Sequence, residues 1–237
     1  MAPAGRRRRA RITAQDLAQY GSVAGGTVNV ERAARGLGVS TREVRQAIRQ
    51  AEAAQSNMFY RRMSRRGDAD VAEGASVPGM LQAAYGRGPR GGAVNARAAA
   101  QDLGVSPGTV RRWAAGTQRP SPAHLKALQS AARRAATTKR GRRAATADFR
   151  ASARGRQALR TGDKLRVSGT QGPRDYPRDR EVAVDMSPED LEAMLRAYEE
   201  GGDRGLRDWM EGYLDNNYVA GWEFLTIDDL GIGPPGE

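Results

Sequence analysis

One 21-residue stretch of this chain occurs twice. Residues 25–45 read GGTVNVERAARGLGVSTREVR and residues 91–111 read GGAVNARAAAQDLGVSPGTVR, identical at 12 of 21 positions at an offset of 66. The matches fall where a local fold has strict requirements. Asn29 and Asn95 can each cap a helix by accepting a hydrogen bond from an early backbone N–H. Ala34 and Ala100 are small where two helices would cross, and Gly38 and Gly104 stand where the chain must turn with φ > 0. Ser40 and Ser106 then cap a second helix, whose Val44 and Val110 face inward. In the second copy Pro107 takes the first helical position, where a missing N–H costs nothing. A repeat of this kind predicts the same supersecondary unit built twice.

Small residue, Gly four later, aliphatic six beyond and another apolar at plus three (Trp113) is the spacing of a helix-turn-helix, whose second helix reads the major groove. The first reading helix is predicted from about Thr41 to Gln50, after a short helix over Ile12–Tyr20 with Thr13 as its cap. The second unit has a helix around Val77–Tyr85 before it. Its reading helix ends at the Gly116–Pro122 step, and a supporting helix over Ala123–Ala132 follows with Leu125 and Leu128 inward. Candidate DNA contacts in the first unit are Thr41, Arg42, Arg45, Gln46 and Arg49. Thr41, Arg42 and Gln46 among them are donors suited to base edges. In the second unit they are Ser106, Thr109, Arg111, Arg112 and Arg119. There the early outward positions are Pro107 and Gly108, which carry no side-chain donor, so this unit is expected to add more phosphate affinity than base discrimination.

The net charge of +12 conceals a division. Residues 181–237 hold 15 acidic and 3 basic side chains, leaving 36 basic and 12 acidic for residues 1–180. A body with that surplus is the electrostatic footprint of a polyanion binder. Only Lys126, Lys139 and Lys164 among the 39 basic residues are lysine. Arginine suits bidentate phosphate contact, but Ala, Gly and Pro are over-used too, so GC-rich coding explains most of that choice. The charge argues for DNA, and the preference for arginine does not.

The expected class is mainly α: two tandem helix-turn-helix domains, a basic flexible connector and a small α+β module. A basic arm spans 1–11, the first domain 12–56 and a linker 57–76, with Arg61, Arg62, Arg65 and Arg66. The second domain covers 77–132. From 133 to 180 large apolar residues are few and KRGRR stands at Lys139–Arg143, a composition that reads as a flexible connector. Residues 181–230 form the acidic module and 231–237 a tail. Within the module Glu181–Met186 alternates as a strand. Ser187 caps a helix with Pro188 first and Glu189 and Asp190 on its positive end. Leu191, Met194, Leu195 and Tyr198 make that helix's apolar face. Gly201-Gly202 breaks it, a second helix carries Leu206, Trp209, Met210, Tyr213 and Leu214, and Trp222–Ile227 closes as a strand. This acidic surface could bind a basic partner, fold back on the arginine-rich body or be solvated, with solvation as the default.

Several function classes have no support. With no cysteine, neither a disulfide framework nor a thiolate metal site can form. No run approaches the roughly 20 apolar residues of a membrane span, and no apolar segment follows Arg6–Arg9 to make a secretory signal. A cytoplasmic, nucleoid-associated protein is expected. His124, the single histidine, has no ligand set around it and reads as a surface residue near a helix start. No phosphate loop, His–carboxylate pair or nucleophile beside a base is found. The expectation is therefore no enzyme, no catalytic residue, no cofactor and no metal.

The order of parts resembles the telomere terminal proteins of actinobacterial linear chromosomes and plasmids. The corresponding pieces are Leu103–Ser106, Thr109-Val110, Arg119-Pro120 and Glu181 through Ile227, covering about residues 77–230. The helix-turn-helix portion is shared with many regulators, whereas Ser187-Pro188-Glu189 through Trp222–Asp229 is more distinctive. Residues 1–65 look like an added unit. The resemblance implies covalent attachment to the 5′ end of a linear replicon, a side-chain hydroxyl serving as primer for end-patching. It also implies a telomere-recognising partner protein and a DNA polymerase as partners besides DNA itself. In the family the acceptor lies in a Gly-Thr stretch before the C-terminal strand, which here is Gly169-Thr170 with Ser168 beside it. The alignment needs a small gap, so Tyr176 is an alternative. The chemistry asks only for a reachable hydroxyl on a flexible segment. Two other readings remain: a tandem helix-turn-helix transcriptional or plasmid-maintenance regulator, with self-association through its C-terminal module, and an architectural nucleoid protein.

Overall fold

A computed structural model describes residues 11–233; the basic arm through residue 10 and the tail from residue 234 lie outside the described residues. The protein is mainly helical with one small antiparallel sheet. Helix α1 spans Ala14–Ala18 and α2 Val30–Leu37. Helix α3 then runs without a break from Thr41 to Ser64. Next come α4 (Val77–Tyr85), α5 (Ala96–Leu103), α6 (Pro107–Ala114) and α7 (Pro122–Thr137), followed by α8 (Lys139–Ala151) and α9 (Ala153–Thr161).

Helix α3 is the spine of the molecule. At about 1.5 Å per residue it is roughly 36 Å long, and it feeds three cores in turn. Val44 and Ala47 enter the first, with Leu17, Val23, Ala33 and Ala34. Tyr60 enters the second, built from α4 to α8 around Leu81, Val110, Trp113 and Leu128. Phe59 and Met63, one helical turn apart, enter the third, against the sheet. The linker expected over residues 57–76 is thus helix as far as Ser64. The loop after it is held by Arg66, buried at 6% exposure. Its guanidinium donates to Tyr60 Oη, Ala83 O and Asp148 Oδ2 at 2.8, 2.6 and 2.8 Å, tying the ends of α3 and α4 to α8.

The flexible connector expected over residues 133–180 is likewise corrected. Helix α7 extends five residues past Ala132, helices α8 and α9 follow, and Asp163–Pro173 forms strand β1. Few large apolar side chains were present to signal this. Instead Ala132, Ala135 and Ala145 lie in the second core and Phe149 and Ala158 in the third. Small side chains bury helix faces here by close approach.

Strand β1 is the centre of the sheet. It pairs on one side with β2 (Arg178–Met186) along its length, and on the other with β4 (Asp229–Ile232) and β3 (Trp222–Phe224), all antiparallel. The strand–helix–helix–strand module predicted for 181–230 therefore lacked its central strand. Its closing strand, expected over Trp222–Ile227, ends at Phe224, and a further strand beyond it, Asp229–Ile232, runs past residue 230. Helix α10 (Pro188–Asn217) packs across the sheet. It opens with a Ser187–Asp190 capping box and breaks at Gly202 (φ 63°, ψ −145°).

That break is where the two oppositely charged parts of the chain meet. Arg142 of α8, itself buried, donates to Glu199 O at 3.0 Å and Glu200 O at 3.2 Å. These are carbonyls of the kind a helix end leaves unpaired. Beside it Arg150 reaches Glu192 and Glu199 at 2.8 and 2.6 Å, and Lys139 and Arg143 both meet Glu200. This face of the acidic helix is neutralised by the supposed connector rather than simply solvated.

Candidate nucleic-acid interface

The two copies of the repeat fold alike. Asn29 Oδ1 accepts from Arg32 N at 2.9 Å and Asn95 Oδ1 from Ala98 N at 3.2 Å. Helices α2 and α5 end at Gly38 (φ 63°) and Gly104 (φ 66°), both left-handed. The next N–H turns back onto the carbonyl of the small residue, Val39 onto Ala34 at 3.0 Å and Val105 onto Ala100 at 3.1 Å. This closure satisfies orphan carbonyls and sets the angle at which the following helix leaves. Ser40 and Ser106 then accept from the backbone N–H three residues on. Val44 and Val110 are fully buried, with Ala47 and Trp113 one turn later.

With that face turned inward, the opposite face of each second helix is left to solvent. On α3, Arg42, Arg45, Gln46 and Arg49 are exposed and Thr41 is half-buried at the helix start. Arg42 and Gln46 are four residues apart, as are Arg45 and Arg49, so they make two adjacent stripes. Among the described residues Arg45 approaches Glu31 Oε1 at 3.8 Å. Arg111 on α6 and Arg119 in the loop after it are exposed, but Arg112 is held in place. Its Nε donates to Gln118 Oε1 at 2.8 Å and its NH2 to Thr109 Oγ1 at 3.2 Å. Thr109 Oγ1 in turn lies 2.9 Å from Ser106 Oγ. The hydroxyls of Ser106 and Thr109 are thus committed to the helix start, and Arg112 is a pre-oriented fork. Gln118, which holds it, was not singled out from the sequence. His124 is more than a surface residue: it tilts against Trp113 at 5.4 Å, with Nδ1 2.8 Å from Ser121 Oγ.

The first unit is joined to the sheet. Val23 N and Ala24 N donate to Leu225 O, Ser22 Oγ to Phe224 O and Arg207 to Ala24 O, while Arg62 of α3 pairs with Asp229.

The three candidate hydroxyls sit in very different places. Ser168 and Thr170 lie within β1, not on a flexible segment. Ser168 Oγ donates to Glu181 at 3.2 Å and Thr170 Oγ1 to Asp179 at 2.5 Å, each the residue directly across the ladder. Thr170 N donates to Thr226 Oγ1 and Thr170 O accepts from Leu225 N, so its backbone is pinned on the other edge as well. Carboxylates surround this position: Asp179 also takes Gln15 Nε2, and Asp228 nearby has its acid pushed up, chiefly by burial and also by the charge of Asp179. Tyr176, by contrast, stands at the β1–β2 tip at 63% exposure. Arg178 lies 5.2 Å from its ring, Arg180 donates to its carbonyl, and Arg174 is exposed two residues before it. Pro177 marked a turn there in the sequence, since a residue before proline is driven out of the helical region. The strand pairing that exposes Tyr176 had no local signal.

Among the described residues no group of His, Cys, Asp and Glu is placed to hold a metal ion, and no helix is long and apolar enough to cross a membrane. Compared with known protein families, characterised proteins and solved structures, the chain matches none.

Proposed function

We propose that this chain is a DNA-binding protein that engages duplex DNA through two helix-turn-helix units. The observation that carries the reading is the doubled helix pair, with the same cap, left-handed glycine and inward aliphatic in both copies. In each, the outward face of the second helix is basic and open. Nucleoid association follows from that binding. The first unit reads bases through Arg42 and Gln46, with Arg45 and Arg49 on phosphates. The second anchors the backbone through Arg111, Arg119 and the fork of Arg112.

Gel-shift selection on random duplexes tests both assignments. Arg42→Ala with Gln46→Ala is expected to relax base preference by about 1–3 kcal/mol for each base that these side chains read. Arg111→Ala with Arg112→Ala is expected to weaken binding to all duplexes alike and to flatten the salt dependence by about 0.9 in log–log slope per phosphate no longer neutralised. An unchanged preference in the first variant, or a sequence-selective loss in the second, overturns the respective role.

Within that reading we favour the terminal-protein function, with Tyr176 as the acceptor ahead of Thr170 and Ser168. The phenol oxygen would attack the α-phosphorus of a deoxynucleoside triphosphate held by a polymerase. An O–P bond forms, the bond from the α-phosphorus to the bridging oxygen breaks, pyrophosphate leaves and the phenolic proton passes to solvent. An arginine-lined tip draws a triphosphate, whereas the carboxylates around Thr170 repel it. Peptide mass mapping of nuclease-digested protein from its host is expected to place a nucleotide adduct on Tyr176. An adduct on Thr170 or Ser168 would displace Tyr176, and an unmodified protein would leave a non-covalent regulator.

A further inference from the structure

We propose that the sheet end formed by the β1–β2 tip, the C-terminus of α10 and the start of β3 is a binding site for unpaired DNA, held by stacking. This site rests on the reading above only in that the polymer is DNA. Among the described residues the large hydrophobic side chains exposed to solvent are Tyr176, Tyr218 and Val219, at 63, 50 and 42%. All three lie at this one end. Backbone pairing brings them there: Pro173 is the register partner of Trp222, and Arg174 N donates to Gly221 O.

Aromatic and guanidinium groups are linked across the patch. Arg178 sits 5.2 Å from the Tyr176 ring, Arg180 sits 5.2 Å from the Trp222 ring while donating to Tyr176 O, and Trp222 meets Tyr218 edge-on at 5.2 Å. Tyr176 and Tyr218 are the rings exposed to bases, while Trp222 is buried at 5% exposure and backs them, and the guanidinium ions lie near enough to meet phosphates, the pairing used for single-stranded nucleic acid. Net charge does not choose the occupant, since Arg174, Arg178 and Arg180 stand among Asp175, Asp179, Asp215 and Glu223. The placement of the cations does: Arg178 and Arg180 lie at the rings themselves. An apolar protein partner would leave those guanidinium groups unpaired. A duplex would present few base faces to it. Unpaired bases fit both features.

The test is fluorescence anisotropy of the full chain with a labelled oligo-thymidylate, an abasic strand of equal length and a duplex. Tyr218→Ala and Arg178→Ala are each expected to weaken oligo-thymidylate binding about 10-fold while duplex binding holds. The abasic strand is expected to bind more weakly than oligo-thymidylate. Arg42→Ala with Gln46→Ala should do the reverse, altering duplex recognition and sparing the single strand, so failure of the duplex reading is seen separately. Tyr176→Phe keeps the ring and removes the hydroxyl; it should retain strand binding while abolishing any adduct. Equal affinity for abasic and base-bearing strands, or no loss in Tyr218→Ala and Arg178→Ala, would overturn the site.

Discussion

Replacing Arg66 with alanine is expected to destabilise the protein by about 3 kcal/mol, read as a lower urea midpoint at unchanged slope. The partner Asp148 is 45% exposed, so water compensates it and the ion pair contributes little. Tyr60 Oη still donates to Ala83 O, so most of the destabilisation comes from the lost charge-assisted bonds to both oxygens and from the space left by the buried side chain. Arg65→Ala, one residue away and exposed, is expected to stay within about 0.5 kcal/mol; equal effects at the two positions would refute the buried role of Arg66. The same cluster gives an alkaline signature. Burial pushes the Tyr60 phenol from 10.0 up to about 12. The folded state thus favours the neutral phenol, whose contribution is complete below pH 10 and is lost as pH rises from there toward 12.

The second large effect is expected at Gly141 in α8. A Cβ there would meet the backbone of α7, with Ala135 Cα and O both at 2.6 Å. Backbone cannot swing aside as a long side chain can, so Gly141→Ala is expected to cost about 1–3 kcal/mol. In a flexible connector the same change would be neutral or stabilising by about 0.4–1 kcal/mol, so the sign of the shift separates the two states of this segment. Gly201→Ala, where nothing lies within 4 Å, provides the reference and is expected to stabilise by up to about 1 kcal/mol. Chemical denaturation of the two variants side by side is the measurement, and a stabilised Gly141→Ala would remove the packing of α8 on α7.

Much of the helical framework was legible because its signals act within four residues. Asn29, Ser40, Asn95, Ser106 and Ser187 each cap the backbone N–H beside them, and Gly38 and Gly104 take the one turn that suits their lack of Cβ. Pro188 starts α10 and Gly202 interrupts it for reasons equally local. The outward faces of α3 and α6 followed from the same periodicity, since burying Val44 and Val110 leaves Arg42 and Arg111 outside. Segments rich in Ala, Gly and Arg were not legible. Ala135, Ala145 and Gly155 bury area only when another helix comes close, and nothing in their own sequence names that helix.

Two capped, basic-faced helix pairs and the charge division between residues 1–180 and 181–237 were already written in the order of the residues. Caps, turns and periodicity are interactions of a residue with its neighbours, and net charge needs no geometry. Folding in three dimensions was required for the division to close on itself, through Arg142 and Arg150 on Glu199, 57 and 49 positions away. It also set how freely each hydroxyl stands in solvent. Thr170 and Tyr176 are six residues apart, yet strand pairing on both edges of β1 ties the first down while the turn exposes the second. Ladder register and ion pairs across helices join residues far apart in the chain, and their free energy exists only once the whole chain has brought them together.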